Sequence, residues 1–214
     1  MNGIIINKLI SLGNLCFSSD LIKRHGYKTE SYPFDWIVSN FDMIISCIDT
    51  DFTIFLDKQY HYNIWNKRPI RSGHSYYDSY VNTNIFKHHN IVDNYDYYKR
   101  CVDRFLNLYN DNLAKLFINF THYNLEFNKV LIYEKLDIIN NLLLNKNMKN
   151  FYIVYIHSFN NKDNDIQKHE LEIINNIYII KYWPISCSNG REYENQIDND
   201  YISNVLHNLF EIKI

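Results

Sequence analysis

Short apolar runs alternate with stretches of helical period along this chain. Residues 4–12 are nearly all apolar and β-branched, the pattern of a buried strand. Gly13-Asn14 breaks that run. A helix is expected over residues 15–25, with Asn14 as its N-cap, Lys23, Arg24 and His25 in its last turn and Gly26 at the C′ position. A second helix is expected over 40–48, with Ile44, Ile45 and Ile48 on one side. Tyr98, Val102, Phe105, Leu106 and Tyr109 form one stripe and predict a helix over 95–109. Strands follow at 115–120, at 151–156 (ending at His157) and at 177–183, with helices at 128–144 and 201–210. About residues 53–90 carry no clean period and read as an irregular Tyr- and Asn-rich excursion holding Trp65, Pro69, Gly73 and His74. The polar run at 160–165 reads as a surface loop.

Continuous apolar strands separated by helices predict an α/β layered sandwich with a partly parallel sheet and a Rossmann-like order of elements. A papain-like α+β arrangement is the alternative. At 214 residues and 25.9 kDa, with 46% hydrophobic residues and no linker-like stretch, the chain suits one domain over 1–214. A net charge of -2 leaves no basic footprint, so neither nucleic acid nor an anionic membrane is an expected partner. The opening apolar run is too short for a secretory core, and no stretch approaches the ~18–20 apolar residues of a spanning helix. An intracellular, cytoplasmic protein is expected, in the host cytoplasm if it is viral. Ala114 is the only alanine, and Asn, Ile, Lys and Tyr are abundant, a bias toward AT-rich codons. Against that bias the few Gly, Pro and Trp residues are informative, and Gly13, Gly26, Pro33 and Trp36 share one short segment.

That segment also holds the candidate chemistry. Among Cys16, Cys47, Cys101 and Cys187 there is no C-x-x-C and no His at zinc-finger spacing, so neither structural zinc nor a disulfide framework is expected. Three of the four are read as small buried hydrophobes. Cys16 is the exception, because a strand-to-helix turn displays a side chain and a helix start lowers a thiol's pKa. Its alternative is a buried thiol packing against the next strand. A general base could come from His88, His157 or His74, and spacing alone does not choose among them. Asp35, in Ser31-Tyr32-Pro33-Phe34-Asp35-Trp36, either orients a His or Arg from inside or caps a turn. Gly13, Asn14, Trp36 and His157 are the positions expected to border a substrate. No G-x-G-x-x-G or P-loop is present, so no cofactor is expected. Asn189-Gly190 reads as a turn, Asp198 to Asp200 as the cap region of the last helix, and Asn119-Phe120-Thr121 as a chance glycosylation match.

These motifs resemble a family. Ser11-Leu12-Gly13-Asn14-Leu15-Cys16 followed by Pro33-Phe34-Asp35-Trp36 is similar to the S-L-G-x-x-C and P-F-D-W motifs of a papain-like cysteine peptidase family of bacteria and large DNA viruses. Phe86-Lys87-His88 and the segment Tyr98 to Phe105 resemble its later motifs, with His89 where an acid is usual and Cys101 where an Arg is often seen. The resemblance implies a Cys–His thiol hydrolase with Cys16 as nucleophile, His88 as base and Asp35 as a site residue. Three readings therefore stand. The first is a cysteine-dependent hydrolase or acyl-transfer enzyme acting on a peptide or acyl compound, with amides of Asn14 to Cys16 as an oxyanion hole. The second is a carbohydrate- or nucleotide-modifying α/β enzyme without a Cys nucleophile. The third is a non-enzymatic binding module whose surface is Tyr60, Tyr62, Tyr76, Tyr77 and Tyr80.

Overall fold

The opening apolar run forms two strands rather than the single strand expected over 4–12. In the computed structural model, which describes residues 3–65, 71–122, 126–159 and 166–213, β1 (Ile4–Ile6) and β2 (Lys8–Ser11) part at Asn7 and enter different sheets. Asn7 and Lys8 both donate their backbone N–H to the Ala114 carbonyl, at 2.8 and 3.1 Å. The Asn7 side-chain oxygen accepts from the Ala114 N–H at 3.2 Å. A side chain that satisfies the backbone locally lets the chain change sheets without orphaning a polar group.

The main sheet runs β2, β5 (Lys115–Thr121), β6 (Phe151–Ser158), β8 (Ile177–Trp183), β7 (Lys168–Ile174). All neighbours are parallel except β7 and β8. The period-2 alternation sorts the strands' side chains between two apolar layers. Leu116, Ile118, Phe120, Val154 and Ile156 pack with α1 (Phe17–Arg24) and α7 (Gln196–Leu209). Phe117, Ile153 and Ile179 pack with α2 (Phe41–Asp49), α5 (Tyr95–Asn107) and α6 (Lys129–Asn145). This is the α/β layered architecture; the α+β alternative does not describe it.

Local signals explain most boundaries. α1 closes where Tyr27 N–H reaches Ile22 C=O and Gly26 N–H reaches Lys23 C=O, with Gly26 at φ +73°. Asn40 and Asn128 cap α2 and α6 by accepting from the N–H groups of Met43 and Leu131. Other boundaries need correction. Asn14 does not cap α1: it sits at φ +78° and Cys16 holds the cap position. α7 is capped by Asn195, not by the 198–200 segment. Phe210, expected in the last helix, opens β9 (Phe210–Ile212), which pairs parallel with β1. β7 was not expected, because its sequence Lys-His-Glu-Leu-Glu-Ile-Ile is largely exposed on a sheet edge.

The excursion is built rather than irregular. It holds α3 (Thr53–Leu56), an antiparallel pair of β3 (His61–Ile64) and β4 (Arg71–His74), and α4 (Asp78–Val81). Phe52, Phe55, Tyr77 and Phe86 are buried with α2 and α5. Asp78 ties it together, accepting from Tyr62 Oη at 2.7 Å, His74 N–H at 3.1 Å and Ile85 N–H at 2.9 Å. Tyr77 is therefore core and not contact surface. Asn119 is buried in β5, out of reach of glycosylation. Pro69 and the 160–165 run lie outside the described residues. No helix among the described residues is long and apolar enough to cross a membrane.

Candidate active site

The two N-terminal motifs meet at the carboxyl end of β2. Gly13 has φ +74°, and a Cβ there would overlap Ser39 Oγ and stand 3.2 Å from the Phe34 carbonyl oxygen. Only glycine lets the Pro33–Trp36 segment lie this close to the turn after β2. Ser39 Oγ then accepts from Asn14 N–H at 2.9 Å, and Ser11 Oγ accepts from Gly13 N–H at 3.1 Å. Both of those amides are thus spent, which removes Asn14 N–H from the expected oxyanion hole. Gly13 serves close packing.

Cys16 lies at the start of α1, only 7% exposed. Its backbone carbonyl accepts from Asp20 N–H. Burial pushes its thiol up to about 11, against the pull of the Arg191 guanidinium. Burial therefore works against the low thiol pKa expected at a helix start. Among the described residues no histidine bonds Cys16. Of the other three cysteines, Cys47 and Cys101 are buried as expected, and Cys187 departs from expectation by being exposed.

Asp35 is inside, at 1% exposure, but its partner is a lysine and not a histidine. Lys28 Nζ lies 2.5 Å from Asp35 Oδ2 and 2.9 Å from Ser19 Oγ, and Tyr32 N–H donates to the same carboxylate oxygen at 2.8 Å. Burial raises the Asp35 carboxyl while Lys28 and these donors oppose it. The pair anchors the P-F-D-W segment to α1 through Ser19.

Trp36 is half-buried at the edge of this cluster. Lys28 and Lys23 lie 5.3 and 5.9 Å from its ring centroid, and the His88 ring meets it edge-on at 6.2 Å. His88 is exposed. Partial burial and the charges of Arg191, His89 and Arg71 hold its imidazole below the usual value. The Arg191 charge bears on both groups, drawing the Cys16 thiol down against burial and holding the His88 imidazole low. Arg191 is itself held by Asp20 Oδ1 at 3.1 Å, and Asp20 also pairs with Arg24 at 3.0 Å. Sequence reasoning missed Arg191, although it directly follows the Asn189-Gly190 turn that projects it.

The other expected border residues lie elsewhere. Asn14 lines a cavity of about 260 Å³ together with Asn119, Thr121 and Tyr155 in the C-terminal halves of β5 and β6. Neither Cys16, His88 nor Asp35 lines it. Asn14 Nδ2 donates to Thr121 Oγ1 at 2.8 Å. His157 is buried beside Tyr155, whose hydroxyl lies 2.8 Å from its Nδ1. His74 is buried within the excursion and bonded to the Ile54 carbonyl, so it is not a free base.

The model of the family described as "Putative papain-like cysteine peptidase (DUF1796)" matches residues 7–178, and the chain belongs to that family. No curated protein and no solved structure matches it.

Proposed function

From membership of this family we propose that the chain is a cysteine-dependent hydrolase or acyl-transfer enzyme, with Cys16 as nucleophile and His88 as proton acceptor. One observation carries the reading. Cys16 stands at a helix start on the carboxyl edge of the parallel sheet, and the turn before it packs on the Pro33–Trp36 segment, whose Trp36 ring meets His88 edge-on. Ligand chemistry on open parallel sheets gathers at that edge.

The resting thiol is neutral at physiological pH, so attack requires the proton to leave as the bond forms. His88 takes the proton from Sγ while sulfur adds to the substrate carbonyl carbon. Collapse of the tetrahedral adduct expels the amine or alcohol, which leaves with the His88 proton. Water, deprotonated by His88, then releases the acid, or a second nucleophile takes the acyl group. With the Gly13 and Asn14 amides engaged, the helix-start amides of Cys16 and Phe17 are the oxyanion donors of this scheme. Asp35 acts as a positioning residue: through Lys28 and Ser19 it fixes the P-F-D-W segment, and Trp36 carries the His88 ring. Exposed His88 reaches Cys16 on substrate binding, when catalytic hydrogen bonds tighten.

The test is covalent capture by a peptide vinyl sulfone, with the adduct located by mass spectrometry. The adduct is expected on Cys16 and absent from Cys16→Ser, with capture about 100-fold slower in His88→Ala. Capture confined to exposed Cys187, or undiminished by His88→Ala, defeats the assignment.

A further inference from the structure

The cavity beside Asn14 has no part in the chemistry assigned to Cys16. Its floor is made of polar side chains withdrawn from solvent: Asn119 is 2% exposed, Thr121 4% and Tyr155 1%. Asn119 and Tyr155 are register partners across β5 and β6, so the parallel ladder holds the floor rigid. Asn119 Nδ2 donates to the Leu12 carbonyl at 3.3 Å, and no described residue donates to its Oδ1. An amide oxygen on a cavity wall with no donor among the described residues is open to a donor from a ligand or water.

The lining also says what kind of ligand fits. Its cation, Lys135, is already paired with Asp42 at 2.6 Å, and Glu126 has no ion-pair partner among the described residues. No unpaired cation in the lining is left for a phosphate or carboxylate. The floor offers hydroxyls and side-chain amides, groups that both donate and accept. Phe41, Leu131 and Ile132 supply an apolar flank. The Phe41 and Tyr155 rings are 5.6 Å apart but tilted by 44°, which makes no parallel slot for a flat nucleobase. The volume falls just below the ~300–1,000 Å³ of drug-sized sites, enough for one ring.

We propose that this cavity binds a single neutral sugar ring, hydroxyls toward Asn119, Thr121 and Tyr155 and its C–H face toward Phe41. The site lies toward the carboxyl ends of parallel strands, where open α/β sheets hold ligands. The inference does not rest on the Cys16 reading and stands or falls separately.

Ligand-observed NMR on the full chain tests it with D-glucose, D-galactose, D-mannose and N-acetyl-D-glucosamine, beside inorganic phosphate and adenosine. At least one sugar is expected to bind saturably. Leu131→Trp plugs the mouth from an exposed helix position and is expected to abolish binding with unchanged thermal stability. Thr121→Val is expected to weaken it about tenfold. Binding of none of the four sugars overturns the proposal. So does tighter binding of phosphate or adenosine, or sugar binding that survives Leu131→Trp.

Discussion

The turn at Gly13-Asn14 separates two regions built on opposite electrostatic principles. On the Cys16 side, Asp20, Arg24, Lys28, Asp35 and Arg191 are tied into ion pairs, and Trp36 sits among cations. On the Asn14 side, the buried groups are neutral amides and hydroxyls. Charges buried in pairs hold a fixed arrangement but fail badly when one partner is lost. Neutral groups around a cavity cost less to bury and stay available to a ligand. The charged side is therefore suited to proton movement and the neutral side to recognition, and one glycine and one asparagine hold both.

The contrast predicts graded damage. Asp35→Ala leaves half-buried Lys28 without its partner, and a loss of about 3 kcal/mol is expected from denaturant unfolding. Replacing both, as Asp35→Leu with Lys28→Met, is expected to recover much of that loss. If the double variant is as unstable as the single one, the pair is not what anchors the P-F-D-W segment.

Acid comes next. Burial pushes His74 and His122 down to about 4. Between there and the ordinary imidazole value of 6.5, the unfolded chain binds more protons than the folded one. Stability is therefore present above pH 6.5 and is lost as pH falls toward 4, by at most ~3 kcal/mol per histidine. His61 and Asp78 face His74, whereas His122 packs against Phe17 and Phe120. His122→Phe should flatten the pH dependence of the melting temperature; an unchanged slope contradicts the assignment.

Gly13→Ala should cost about 2 kcal/mol or more, through the left-handed backbone and the collision with Ser39. It is the substitution expected to disturb both regions at once. Thr121→Val should cost about 1 kcal/mol, because Asn14 Nδ2 loses its acceptor, and should leave capture at Cys16 intact. Equal damage to capture would mean that the two regions form one site.

What the sequence disclosed follows from the range of the forces involved. Helix caps and apolar stripes are local, so α2, α5 and α6 were legible, and the layered fold with them. The split at Asn7, the edge strand β7 and the β1–β9 pair depend on partners more than a hundred residues away or on exposure, and local periodicity carries neither. The excursion hid its order because its core is aromatic and its turns are held by one aspartate, Asp78. At the site, Gly13, Cys16, Asp35 and Trp36 stood out by local composition. Their true neighbours did not: Lys28 and Arg191 are ordinary cations until folding brings them to Asp35 and Asp20. The thiol's raised pKa was equally out of reach, since it reflects burial that no motif encodes.

In the proposed reaction a neutral Cys16 thiol passes its proton to His88. The most direct measurement is the rate of Cys16 capture by the vinyl sulfone as a function of pH, with Cys187 as internal reference. Because His88 must be neutral to accept the proton and its pKa is lowered, the rate should rise with an inflection below 6.5 and then level off through neutral pH. His88→Ala should lose that inflection. A rate that climbs only as free thiolate forms near pH 11, the same with or without His88, would contradict the account.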